Sequence, residues 1–160
     1  MSASSSSSVD RVRAALAAAG HPDTIETFPD GTRSAADAAA AVGCAVAQIA
    51  KSIVFRAGTR AVLVIASGAN RVDMAKVAAA IGQPVKRADG NWVRDATGFA
   101  IGGVSPVGHL APPILLLDAE LMALDPVWAA AGSPQHVFRT TPAELCRITA
   151  AIVADIREDG

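Results

Sequence analysis

The segment Lys51-Ser52-Ile53-Val54-Phe55-Arg56-Ala57-Gly58-Thr59-Arg60-Ala61-Val62-Leu63-Val64-Ile65-Ala66 decides the fold class. Ile53-Val54-Phe55 and Ala61 to Ala66 are rich in β-branched and large apolar residues, and Ala57-Gly58-Thr59 between them reads as the turn of a hairpin. Working upstream, Ser34 is placed to cap an alanine-rich helix to Val42, with Asp37 three positions on and Gly43 as its stop. Thr24 to Phe28 is a short strand. Val9 to Ala19 carries Val12, Leu16 and Ala19 at helical spacing and ends at Gly20-His21-Pro22. Downstream, Asp73 opens a helix through Ile81, Pro84-Val85-Lys86 is a short extended piece, and Ala88 to Thr97 is a short helix or turn. Pro113 to Leu117, Val127 to Ala131 and Val137-Phe138-Arg139 read as strands. Thr141-Pro142-Ala143-Glu144 combines an N-cap, a proline at the first helical position and a capping acid, and so starts a helix predicted to reach about Ile156. Strands with interspersed helices predict an α/β (α+β) single domain with a mixed sheet.

Composition supports one folded unit. The chain has 160 residues, 51% of them apolar, and a net charge of −1, a balance that does not predict disorder. The serine run Ser2 to Ser8 is the exception. It is too polar for a signal-peptide core, so residues 1–8 are expected to be a disordered tail and 9–160 the domain. Cys44 and Cys146 have no CxxC partner, which fits free thiols, a reducing compartment and a cytoplasmic location. Ala96 to Leu117 contains no Asp, Glu, Lys or Arg and is long enough for a membrane span. Its four glycines, three prolines and one histidine argue against a single spanning helix.

Net charge conceals an asymmetry. Residues 51–94 hold eight basic side chains against Asp73 and Asp89, a block of +6, while the flanks sum to −7. Such a block is either a face for a polyanion or a set of solvated strand ends and helix faces.

The uncharged run contains Ile101-Gly102-Gly103-Val104-Ser105-Pro106-Val107-Gly108-His109. So little side-chain bulk allows a ligand to approach main-chain N–H groups closely. Common catalytic signatures do not fit it. Gly103 to Gly108 has the glycine spacing of a P-loop, but His109-Leu110 replaces the lysine and hydroxyl that phosphate and magnesium need. Gly103-Val104-Ser105 begins like a nucleophile elbow, yet Val107 stands in the second glycine position and Pro106 has no N–H to donate. His21, His109 and His136 lie far from one another and from both cysteines, so no metal-ligand spacing exists. Lys51, at the start of a buried strand, needs a partner or a ligand, unless it snorkels from a strand edge. His109 is either a satisfied loop histidine or part of a site.

Lys51 in its apolar run, the strand Ala61 to Ala66, and Gly102 and Pro106 as a GxxxP loop together resemble the YbaK-like family, related to the editing domain inserted in bacterial prolyl-tRNA synthetase. The resemblance runs from about Val9 to Ile156. It implies a mixed sheet curled into a barrel-like core surrounded by helices. It also implies a free-standing aminoacyl-tRNA deacylase acting on the ester between a wrong amino acid and a tRNA, chiefly the proline tRNA. No metal or cofactor is implied. The partners expected are the 3′ end of an aminoacyl-tRNA and prolyl-tRNA synthetase, with no membrane, and with either a monomer or a homodimer left open. A non-catalytic tRNA- or nucleotide-binding module with the same pocket is the alternative.

On this resemblance Lys51 holds the 3′ end of the tRNA, and the loop grips the aminoacyl carbonyl through its backbone. An activated ester needs mainly a positioned water and donors for the developing oxyanion, which Gly102 and Gly103 are expected to supply. Ser52 follows the lysine where some members need asparagine or threonine. Ile101, Val104, Ser105, Pro106, Val107, Gly108 and His109 are expected to bind substrate, as are Gly132 and Ser133. Aromatic residues are few, at 4%, which disfavours a base-stacking platform.

Overall fold

The computed structural model describes residues 4–31 and 34–159. The expected hairpin is its centre. Strands β2 (Ile49–Ala57) and β3 (Arg60–Ser67) pair antiparallel about Gly58-Thr59, with Ala57 opposite Arg60 and Lys51 opposite Ala66. Around them lie β1 (Ile25–Thr27), β4 (Lys86–Arg87), β5 (Ile114–Asp118), β6 (Val127–Ser133), β7 (His136–Thr140) and β8 (Ile152–Ala154). The order across the sheet is β1-β7-β6-β2-β3-β5-β8, with β4 pairing β2 off this path. Parallel pairs (β2 with β6, β3 with β5, β5 with β8) and antiparallel pairs share one sheet, so the expected mixed α/β architecture is present. The barrel-like closure is corrected: β1 and β8 are edges that do not meet, and the sheet stays open.

Helices form where the caps require them. In α2 (Ala35–Val42) the Ser34 side chain accepts from Asp37 N and Gly43 ends the helix at φ 76°. Asp73 and Asp89 cap α3 (Met74–Ile81) and α4 (Gly90–Thr97) in the same way. Helix α1 (Ser4–Ala18) begins within the serine run, and residues 1–3 of the expected tail lie outside the described residues. The last helix, α5 (Pro142–Thr149), is shorter than predicted. Ala150 turns left-handed at φ 55°, and Ile152–Ala154 leaves the helix to add β8 beside β5. Isoleucine and valine at 152 and 153 favour that strand once an edge is available.

The two sheet faces are packed differently. One carries α1, α4 and α5 over a core that includes Leu16, Val54, Leu63, Ile65, Phe99, Leu117, Phe138 and Leu145. On the other, α3 covers Phe55, Val62, Val64 and Leu116, while α2 covers Ile49, Trp128 and Val137. Alternation along β2 puts Ile49, Lys51, Ile53 and Phe55 on this second face. Lys51 therefore lies between the residue that packs α2 and those that pack α3. The charge-free run Ala96 to Leu117 is divided among the end of α4, the glycine loop and β5, and no described helix is long and apolar enough to cross a membrane.

Candidate active site

Strand β2 has an interrupted edge. On the side away from β3 it pairs with β6 only at Ile49 and Ala50, and with β4 only at Phe55 and Arg56. Two cavities occupy the space between. The first, about 290 Å³, is walled by α2 (Ala35, Ala38, Val42), by Trp128 and Val137, and by Lys51, Ser52, Gly102 and Val104. The second, about 240 Å³, is bounded by Ser52 to Phe55, Arg87, Val93, Ile101, Gly102 and Val104. Ser52, Gly102 and Val104 border both, so β2 and the glycine loop face each other across one two-lobed cleft.

The Lys51 ammonium is half-buried and donates to the main-chain carbonyl of Asn70 at 2.5 Å. Asn70 is fixed in turn: its amide donates to Asp118 Oδ2 at 2.9 Å and to Glu120 Oε1 at 3.3 Å. Asp118 is fully buried and also accepts from Ser67 N at 3.0 Å. Burial, more than the neighbouring Arg71, pulls the Lys51 pKa below the usual lysine value, and Asp118 opposes both. The result is an anchored cation at the floor of the cleft, backed by a buried carboxylate.

In the loop, the glycines serve different ends. Gly102 is exposed with φ 93°, and a Cβ there would meet nothing closer than Pro134 Cγ at 3.8 Å. No described residue hydrogen-bonds its N–H. Gly103 was expected to be a second donor, but its N–H already donates to Ala100 O at 3.0 Å. What requires glycine there is packing, because a Cβ would sit 2.7 Å from Ser133 Cα. Gly108 and Gly132 likewise hold positive φ with backbone of α1 pressed against them. Arg11 of α1 clamps the loop, donating to Gly108 O at 3.0 Å and to Gly98 O at 2.8 Å, with its guanidinium over the Phe99 ring.

Several expected contact residues therefore do not border the cleft. Ser105 is fully buried, and its hydroxyl accepts from Val107 N at 3.2 Å. Pro106 is buried and lines neither cavity, and Val107, Gly108 and His109 lie behind the loop, against α1 and Phe99. Ser133 Oγ is taken up by His136 Nδ1 at 2.6 Å in the β6–β7 turn, and Gly132 faces α1. The lining of the cleft contributed by β6 is Trp128, Ala129 and Ala130 instead. Lys51, Ser52, Ile101, Gly102 and Val104 are the expected residues that do meet there. Asn70, Asp118, Trp128 and the α2 wall were missed. Of these, only Asp118 carries a signal in the sequence, a carboxylate closing the apolar run Ile114 to Leu117.

Two predictions follow from the loop. The Ser105 hydroxyl serves a turn and is out of reach of the cleft, so Ser105→Ala should leave any chemistry performed in the cleft within about threefold of wild type; complete loss would instead mark a nucleophile. His109 is the second case. Its Nε2–H donates to Ser105 O at 2.6 Å, Nδ1 is buried without a partner, and burial holds its pKa below the usual histidine value. As pH falls below that usual value, near 6.5, the unfolded chain takes up the proton first, so stability declines with acidification. His109→Leu should flatten the dependence of Tm on pH between roughly 7 and 5. An unchanged slope would show that another group sets it.

The basic block is only partly available. Lys76 is engaged by Asp155 and Asp159 at 3.1 Å each and by Arg157 O. Arg56 lies over the Trp92 ring, 4.7 Å from its centroid. Arg56, Lys86 and Arg87 nevertheless border one open hollow beyond the second lobe of the cleft. Among the described residues, no three His, Cys, Asp or Glu side chains converge as metal ligands.

Comparison with known proteins gives a consistent picture. The family profile described as "aminoacyl-tRNA editing domain" matches residues 29–148. A solved structure of a candidate trans-editing enzyme for prolyl tRNA synthetase is 44% identical, with a TM-score of 0.90 and 99% of both chains covered. A second, from work on epitope grafting onto scaffold proteins by computational design, is 43% identical with a TM-score of 0.90, covering 95% of this chain and 98% of that one. The uncharacterized protein YwhH of Bacillus subtilis is 32% identical over 122 residues, 76% of this chain and 78% of its own length.

Proposed function

This chain belongs to the aminoacyl-tRNA editing domain family, whose profile spans residues 29–148, and we propose that it is a trans-acting deacylase that hydrolyses the ester of a mischarged tRNA. The observation that carries this reading is the convergence of Lys51 and Gly102 on one cleft across the interrupted edge of β2. In the proposed mechanism the Gly102 N–H faces the ester carbonyl and stabilises the oxyanion as water adds. Lys51 holds the 3′-terminal end of the tRNA from the opposite wall. A ribose hydroxyl of the substrate orients the water. As the tetrahedral intermediate collapses, the acyl C–O bond breaks and the water's proton passes to the departing ribose oxygen, so no protein base is needed. The reaction requires no metal in this scheme.

The substrate side chain is small and uncharged. The first lobe is walled by Ala35, Ala38, Val42, Ile49, Trp128 and Val137, with no carboxylate among its described lining residues, and such a wall discriminates by volume. A proline tRNA carrying a small wrong amino acid is the substrate this reading favours. The similarity to a candidate trans-editing enzyme for prolyl tRNA synthetase supports it. Prolyl-tRNA synthetase is then the functional partner and the cytoplasm the place of action.

The hollow bordered by Arg56, Lys86 and Arg87 is where the acceptor phosphates would run. Lys86 is exposed at its rim. Lys86→Glu should raise the KM for charged tRNA several-fold at physiological salt, since each phosphate contact releases counterions. Hydrolysis of a minimal aminoacyl-adenosine, which lacks those phosphates, should not change. An equal loss on both substrates would mean that Lys86 supports the site itself. The assay that tests the function as a whole is hydrolysis of a panel of mischarged tRNAs.

A further inference from the structure

The interruption in β2 leaves main-chain groups as well as space. Gly68 N donates to Ile49 O at 2.7 Å, and Ala57 closes the hairpin opposite Arg60. This register directs the peptide groups of residues 49, 51, 53, 55 and 57 toward β3. Those of the even residues point the other way. Ala50 is then met by β6 and Arg56 by β4. Ser52 and Val54 lie between them with no strand partner among the described residues, and their N–H and C=O groups open onto the two cavities they border. The Ser52 hydroxyl is also buried and makes no hydrogen bond with any described residue. Polar groups left this way in a protein interior are costly unless something pairs with them.

We infer that the unpaired β2 edge at Ser52 and Val54 is a subsite for the α-amino group of an aminoacyl substrate, which fills the gap as a single residue of strand would. An aminoacyl group carries what a strand residue carries: a donor at nitrogen and an acceptor at the carbonyl. The Ser52 and Val54 carbonyls and Ser52 Oγ offer acceptors to the α-ammonium, while the acyl carbonyl turns toward Gly102 on the far wall. The Lys51 ammonium is not needed for this role, because it is anchored on Asn70 O. Main-chain recognition of this kind is indifferent to the side chain, which is left for the apolar lobe to measure. The inference rests on the deacylase reading and adds to it a demand for a free α-amino group.

The test replaces that group by a hydroxyl of nearly the same size. Alanyl-adenosine and lactyl-adenosine esters are compared, each enzymic rate divided by its own uncatalysed rate so that intrinsic ester reactivity cancels. The lactyl ester should fall at least about 100-fold in kcat/KM, because its neutral hydroxyl offers one donor where the α-ammonium offers three that are charge-assisted. Normalised values within about threefold of each other would overturn the inference. Binding is measured separately with the uncleavable amide-linked analogues, alanylamino- and lactylamino-deoxyadenosine, by following amide resonances of the whole protein. The alanyl analogue should shift the Ser52 and Val54 amide signals and the lactyl analogue should shift them far less. Equal shifts, or none at those two amides, would reject the subsite whether or not any ester is hydrolysed. Alanyl binding with these shifts but no hydrolysis of either ester would keep the subsite and reject the deacylase.

Discussion

Lys51→Ala is expected to abolish hydrolysis of mischarged tRNA, with a fall of at least about two to three orders of magnitude in kcat/KM, the scale on which loss of a group that positions the reacting ester registers. The fold should survive. The ammonium is only half-buried and is held by a neutral main-chain carbonyl, that of Asn70, so its removal strands no buried countercharge in direct contact. Asn70 keeps its own anchors in Asp118 and Glu120. Tm should therefore move by no more than a few degrees. Near-wild-type turnover by the variant would remove Lys51 from the mechanism. Collapse of the fold would instead mean that the cation balances Asp118, and Lys51→Met, which keeps the stem packed, would then separate the two effects.

Gly102→Ala should lower kcat by about one to three orders of magnitude while leaving the protein folded. The methyl itself has room, since its nearest neighbour would be Pro134 Cγ at 3.8 Å. The cost comes from φ 93°, which an L-residue holds only at about 1–2 kcal/mol, so the peptide relaxes and its N–H swings away from the cleft. Gly103→Ala gives the contrast. There the new carbon would meet Ser133 backbone at 2.7 Å, so the loop and the β6–β7 turn must part, and loss of Tm should accompany any loss of rate. If Gly102→Ala kept full activity, the oxyanion donor would have to be sought elsewhere on the loop.

Much of the fold is legible in the sequence itself. Caps at Ser34, Asp73 and Thr141 and the Gly58-Thr59 turn act through neighbours in the chain, and each forms its element where expected. Lys51 and Gly102 stood out because a cation in an apolar strand and a bare loop both require explanation. What was not legible depends on contacts between distant segments. Ile152–Ala154 reads as helix in isolation and becomes strand because β5 offers an edge. Ser105, Val107 and His109 shared a promising loop with Gly102, yet the loop has an inner side, and Arg11 from α1 fixes which side that is. Asn70 and Asp118 are 19 and 67 positions from Lys51 by the numbering, so no local pattern joins them. The openness of the sheet is likewise a property of where β1 and β8 end, which no single strand encodes.

The most direct measurement is single-turnover deacylation of a proline tRNA charged with alanine, beside the same tRNA charged with proline, by the wild-type protein and by Lys51→Ala. Wild type should clear the alanyl ester and spare the prolyl ester, and Lys51→Ala should clear neither. Hydrolysis that persists in Lys51→Ala, or no hydrolysis of any ester in a full panel of mischarged tRNAs by wild type, would contradict this mechanism.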